Sequence, residues 1–173
     1  MAKKKSSKKS GVKALMDFIT MAIGGLILGF MALPHLKYEV TAFGGTSTEN
    51  VSGYGLISFE EGANIGLSVV LLIMIITASL MCLFGLLKLL VDVDVIKGVG
   101  FGKFVGFGLV VSALATFALA ITVCIMVPVA CKDDSFNFGG IFSGGKFAVW
   151  GSIITNACVA FVGFITSLFA IRD

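Results

Sequence analysis

The sequence predicts an all-α membrane protein: a four-helix transmembrane bundle with a small extracellular β-hairpin or sheet formed by its outer loops. Three observations carry that expectation. Hydrophobic residues make up 57% of the 173 residues and charged residues only 13%, against about a quarter charged in a soluble domain. The apolar residues gather in four long stretches. Lysines and acids are sorted between the segments that join those stretches. With so little charge, and a mean hydropathy of +1.05, the chain cannot cover a water-facing surface. Disorder, a collagen-like chain and a disulfide-stapled secreted module are excluded on the same grounds.

Residues 1–13 form a basic tail carrying Lys3, Lys4, Lys5, Lys8, Lys9 and Lys13. Its serine-spaced composition predicts a disordered, cytoplasmic segment that sets topology and attracts anionic lipid. Without a folded platform beside the charge, nucleic acid is not an expected partner. The first span covers residues 14–34, the others 63–91, 104–130 and 147–171; each exceeds the run of about 20 apolar residues that crosses the lipid interior. In lipid the backbone must satisfy its own hydrogen bonds, which makes these segments helices. The first apolar run is too long for a signal-peptide core and no small-x-small site follows it, so it reads as a retained anchor.

Lys88, Lys97 and Lys103 lie in or beside the connection 92–103, and Arg172 lies in the closing segment 172–173. The loops 35–62 and 131–146 hold only Lys37, Lys132 and Lys146 but most of the acids: Glu39, Glu49, Glu60, Glu61, Asp133 and Asp134. The positive-inside rule then places both termini in the cytoplasm of a plasma or cytoplasmic membrane and the acidic loops outside.

The first outer loop reads as a hairpin, Tyr38 to Phe43 and Val51 to Phe59 flanking a turn rich in Gly, Ser, Thr and Asn. The second carries Phe136, Phe138 and Phe142 beside paired glycines and reads as a short hairpin or one further strand. Tyr54, Phe59, Phe136, Phe138 and Phe142 form a candidate interaction surface, or sit at headgroup level. Glu60, Glu61, Asp133 and Asp134 form an acidic outer face. Asn50-Val51-Ser52 is a formal glycosylation sequon.

Chemistry-bearing residues are sparse. The central parts of the spans lack ionisable side chains, which argues against an ion-coupled pump. Asp17 one turn after Lys13, and Asp92 one turn after Lys88, read as interfacial i,i+4 pairs. His35 has no Cys or carboxylate at triad or ligand spacing, and Cys82, Cys124, Cys131 and Cys158 form no CxxC. No catalytic residue, cofactor or metal site is expected. Gly98-Val99-Gly100-Phe101-Gly102 lacks a phosphate-loop pattern and reads as a flexible turn.

Small residues are abundant where helices must approach closely without a hydrophobic drive. Candidate packing positions are Gly25 and Gly29 in the first span, Gly62 and Gly66 at the second, and Gly102, Gly106, Ser112 and Thr116 in the third. The fourth adds Asn156, expected to hydrogen-bond a neighbouring helix, and Gly163. Pro34 and Pro128, each followed by Phe-Gly-Gly, give a faint internal echo of a duplicated helical hairpin.

The layout of four spans, cytoplasmic termini and a longer first outer loop is similar to the claudin and related tetraspan families. That loop contains neither Trp nor Cys here, so no residue is carried over. The expected function is non-enzymatic: a structural or assembly component that self-associates or joins membrane-protein partners through its small-residue faces and aromatic outer loops. The alternative is a pore-forming or transporter-accessory subunit whose acidic outer face draws cations.

Overall fold

The structure, a computed structural model, describes residues 2–42, 45–59, 63–96, 99–132, 146–149 and 151–171. It is mostly helical: α1 (Ala2–Phe30), α2 (Ile65–Asp92), α3 (Val99–Lys132) and α4 (Gly151–Ser167), the last continued by a 3-10 turn at Leu168–Ala170. Between α1 and α2 come β1 (Pro34–Ala42), β2 (Gly45–Ser52) and a 3-10 turn at Tyr54–Leu56, and β3 (Lys146–Val149) precedes α4. All four helices contain segments long and apolar enough to cross a membrane: Gly11–Phe30, Ile65–Asp92, Gly100–Val129 and Gly151–Ala170.

Each helix packs against its neighbours in sequence, and α4 closes the ring onto α1. The core runs the length of the bundle, from Ile23, Ala78 and Met81 to Ile27, Met74 and Leu71, and ends on Met31, Leu36 and Leu67 beneath the sheet. The closest approaches lie at glycines. A Cβ on Gly24 would stand 3.1 Å from the Ala78 carbonyl oxygen, and one on Gly85 would stand 2.9 Å from Met21 Cβ and 3.0 Å from its Cα. These two positions press α1 and α2 together backbone to backbone. On α4, a Cβ on Gly163 would lie 2.6 Å from Met81 Cε and 2.7 Å from Ile23 Cγ2, so three helices converge on that glycine. Between α3 and α4 the filler is aromatic, with the Phe117 and Phe161 rings 5.2 Å apart.

Several elements differ from the sequence expectation, each for a local reason. The lysine-rich tail is the first part of α1, helical from Ala2, because nothing before Pro34 breaks a helix and Lys and Ala propagate one well. At its other end α1 stops at Phe30, before the expected boundary at 34. The amides of Ala32 and Leu33 reach back only three residues, to Gly29 and Phe30, and Pro34 opens a strand, a position where its missing N–H costs nothing.

The hairpin is present with a different second strand. β1 pairs with β2 from Pro34↔Ser52 to Ala42↔Gly45, so the polar stretch, expected as the turn, is itself the strand. Most of the segment expected as the second strand is diverted to cap α1. The Tyr54 amide donates to the Met31 carbonyl at 3.1 Å and the Tyr54 hydroxyl donates to the Leu28 carbonyl at 2.9 Å.

β3 adds a third strand, in the order β2-β1-β3, with Leu36↔Val149 and Glu39↔Lys146 as its limits. Because residues 146–149 pair with β1, α4 begins at Gly151 and not at 147. The second connection is likewise shorter than expected. α2 ends at Asp92, Asp94 takes the left-handed conformation (φ 60°), and the Val95 and Ile96 amides return to the Leu90 carbonyl. α3 starts at Val99, so Gly100 and Gly102 are helical, and the absent side chain of Gly102 makes room for Val91.

Close approach without a side chain gives a direct test. Gly85→Ala must displace Met21 and is expected to destabilise the protein by about 1–3 kcal/mol, the usual cost of overpacking. Gly25→Ala meets open space and is expected to be neutral or stabilising by up to about 1 kcal/mol through helix propensity. Thermal unfolding of both variants in detergent reads the contrast.

Candidate functional site

Two elements from different loops meet the bundle at its sheet end, and the residue between them is His35. β1 and β2 are in register from Leu36↔Val51 onward, but Pro34 faces Ser52, which leaves His35 as the extra residue of a bulge. In a regular strand consecutive side chains point to opposite faces. The bulge re-aims one of them, and both His35 and Leu36 are fully buried. The Ser152 hydroxyl donates to the Pro34 carbonyl, fixing the start of β1 to the first turn of α4. From α2, Ser68 Oγ lies 2.6 Å from the Ser58 carbonyl and accepts from the Ser58 amide at 3.0 Å. Asn64 caps the same helix by accepting from the Leu67 amide at 3.0 Å. The first outer connection is thus bonded to the tops of α2 and α4.

His35 lines a narrow crevice with Met74 of α2, Ala120 and Val123 of α3, and Ile153 and Asn156 of α4, too tight to admit a water molecule. Nδ1 bonds the Leu33 carbonyl at 2.9 Å, so Nδ1 carries the proton and Nε2 is an acceptor. Nε2 is buried without a partner, and so is Asn156 Oδ1 on the same crevice. The interhelical bond expected of Asn156 is therefore not made by its carbonyl oxygen. The polar group sharing its crevice, His35, presents a lone pair, and two acceptors cannot bond. Burial holds the imidazole pKa below its ordinary 6.5, outweighing the opposite pull of the Leu33 carbonyl.

The other predicted residues fall into three groups. Gly106 and Gly163 are buried at helix contacts, Gly66 lies near Met126, and Gly102 lies against Val91. Ser112 and Thr116 are buried but bond within α3, to the Leu109 and Ser112 carbonyls at 2.9 and 2.8 Å. Gly25 and Gly29 are not at the α1–α2 contact, since both are exposed with nothing near a would-be Cβ. The contact glycine is Gly24, one position earlier, on the face that carries Asp17, Thr20 and Ile27. That i, i+3, i+7 spacing of small and polar residues was the signal that could have found it.

Tyr54 and Phe59 are 42% and 59% exposed at the sheet end. Gly62, Phe136, Phe138, Phe142, Glu60, Glu61, Asp133 and Asp134 lie outside the described residues, so the acidic outer face and most of the aromatic surface do too. Cys82, Cys124 and Cys158 are free thiols; Cys82 donates to the Met21 carbonyl across the α1–α2 contact. The Lys88–Asp92 pair forms, whereas Asp17 makes no salt bridge with Lys13 among the described residues: its carboxyl group is buried and interacts with Asp92 and Lys88 of α2. No family model, curated protein or solved structure matches this chain.

A histidine favoured neutral by folding makes stability depend on pH. Above 6.5 it is neutral in both states and its contribution is complete. As pH falls through 6.5 the unfolded chain binds the proton first, and stability is lost down to the lowered pKa of the folded state. The melting temperature in detergent is expected to drop as pH falls through 6.5, and His35→Gln is expected to flatten that slope whatever its effect at neutral pH. An unchanged slope in the variant would assign the acid sensitivity to other groups.

Proposed function

We propose that this chain is a multi-pass integral membrane protein with a non-enzymatic role, a structural or assembly component of its membrane. The observation that supports this reading is the exterior of the bundle. Only 28–33% of each membrane-length window is buried inside the protein. The remaining faces carry exposed Phe18, Leu26, Leu72, Ile76, Leu83, Phe107, Ile125 and Phe161. In water such faces would drive aggregation; in lipid they are solvated.

The lysine distribution orients the molecule with its lysine-rich end in the cytoplasm, where α1 meets anionic headgroups, and the three-stranded sheet outside. Association with a second copy, or with another membrane protein, uses what internal packing leaves over. Gly25 and Gly29 lie one turn apart on an open face of α1, the spacing that lets two membrane helices approach closely. At the sheet end, exposed Tyr54 and Phe59 provide the second contact. One observation favours the alternative, a pore-forming or transporter-accessory subunit: Asp17, a buried carboxyl group on a helix of membrane length.

Gly25→Leu/Gly29→Leu tests the primary reading. Both side chains enter open space in the protomer, so its stability should change by no more than about 0.5 kcal/mol. The particle in mild detergent, sized by light scattering, is expected to fall from an oligomer to the single chain. A wild-type particle that is already a single chain in detergent and in nanodiscs, or a variant of unchanged size, would refute self-association through this face. Cation flux in liposomes containing the chain alone would favour the alternative.

A further inference from the structure

The sequon Asn50-Val51-Ser52 occupies a defined place in the fold. Its residues close β2 (Gly45–Ser52), an edge strand of the sheet in the order β2-β1-β3. Asn50 pairs with Lys37 and Val51 with Leu36, while Ser52 faces Pro34 across the bulge. Successive side chains of a strand point to opposite faces. Val51 packs against the core beneath the sheet, so Thr48 and Asn50 turn to the other face, and both are exposed.

The remaining asparagines differ in sequence, and the described ones in setting. Asn64 Oδ1 is committed to the Leu67 amide as the cap of α2, and Asn156 is buried among the helices. Neither has Ser or Thr two places on, and Asn137 does not either. Asn50 thus joins the acceptor tripeptide to an exposed side chain on the sheet, at the end of the bundle that α1 reaches with its carboxyl terminus. The lysine distribution puts that end outside.

We propose that Asn50 is an N-glycosylation site, with an oligosaccharide on a polyprenyl diphosphate as the donor. The Asn50 side-chain nitrogen bonds to C1 of the first sugar as the C1–O bond to the diphosphate breaks. The lipid diphosphate leaves with the bonding electrons and the amide gives up one proton, so the step needs no oxidant or reductant. Val51 satisfies the requirement for a residue other than proline, and Ser52 supplies the hydroxyl. In the folded sheet that hydroxyl accepts from the Gly55 amide at 3.1 Å, so transfer takes place on the emerging chain, before β2 closes on β1. The folded strand then carries the product without rearrangement, because the side chain already faces solvent. A glycan there is bulky and solubilising, and it shields an edge strand, which natural sheets guard against pairing with other chains.

The proposal rests on the outside placement of the sheet, and the experiment separates the two. The full-length protein is purified from membranes of the cells that make it, and its intact mass is read by mass spectrometry. The wild type is expected above the 18.1 kDa of the chain by one oligosaccharide. Asn50→Gln and Ser52→Ala are expected at the mass of the bare chain, and Ser52→Thr is expected to keep the oligosaccharide. In parallel, Thr48→Cys, on the same exposed face, is treated on intact cells with a membrane-impermeant maleimide and compared with the wild type. A wild type at bare-chain mass, with Thr48→Cys labelled, overturns the proposal and leaves the orientation standing. Labelling that requires permeabilised cells overturns both. An oligosaccharide that persists in Asn50→Gln lies elsewhere on the chain and also overturns it. If a variant fails to fold, the wild-type mass and the mass of its peptide containing Asn50 still decide.

Discussion

The contact on which the bundle rests is the meeting of α1 and α2 at Gly24 and Gly85. When both faces of a helix are apolar, burying hydrophobic surface does not say which face turns inward, because lipid solvates either one. Steric fit then selects the arrangement. Gly24 seats against the Ala78 carbonyl and Gly85 against Met21, and with that register Asp17, Thr20, Ile23 and Ile27 all face the interior. α4 follows, since Gly163 fits only over the Met81 and Ile23 side chains that this pairing presents. Exposure of Gly25 and Gly29 is the consequence, and so is the availability of that face to another helix.

The sheet depends on the same arrangement. β1 is the central strand, and its start must sit over the helix tops for both β2 and β3 to reach it. The bulge at His35 accomplishes this by turning two successive residues inward, one apolar and one polar. Leu36 completes the core, while His35 places an unpaired acceptor opposite another on Asn156. A joint built this way is well packed but polar and unsatisfied, which ties the hold of the sheet on the bundle to the ionisation of one side chain.

Sequence reasoning recovers the elements set by composition. Four helices of membrane length follow from hydrophobic runs, and the outer sheet follows from β-branched and aromatic residues around glycines. It places their boundaries less well, because those depend on tertiary partners. Tyr54 leaves the second strand to cap α1, and residues 147–149 read as helix because apolar β residues beside an apolar helix carry no internal mark of a change. Glycine spacing identifies GxxxG pairs but not which face is inside, so it points to Gly25 and Gly29 where Gly24 makes the contact. For Asp17 the local pair with Lys13 looked sufficient. Only the fold shows that the i,i+4 partner is not used and that the carboxyl group turns toward α2.

Among the described residues, buried ionisable groups divide between the two ends of the bundle, and the buried hydroxyls between them, Ser112 and Thr116, bond within α3. At the sheet end the unsatisfied pair is His35 and Asn156, where burial favours neutral imidazole and the crevice admits no water. At the other end the group is a carboxylate beside an ion pair. Between them Thr20 bonds across to α4, and the next layer is Ile23, Met81 and Gly163 in mutual contact. Nothing polar links the two sites through that layer among the described residues.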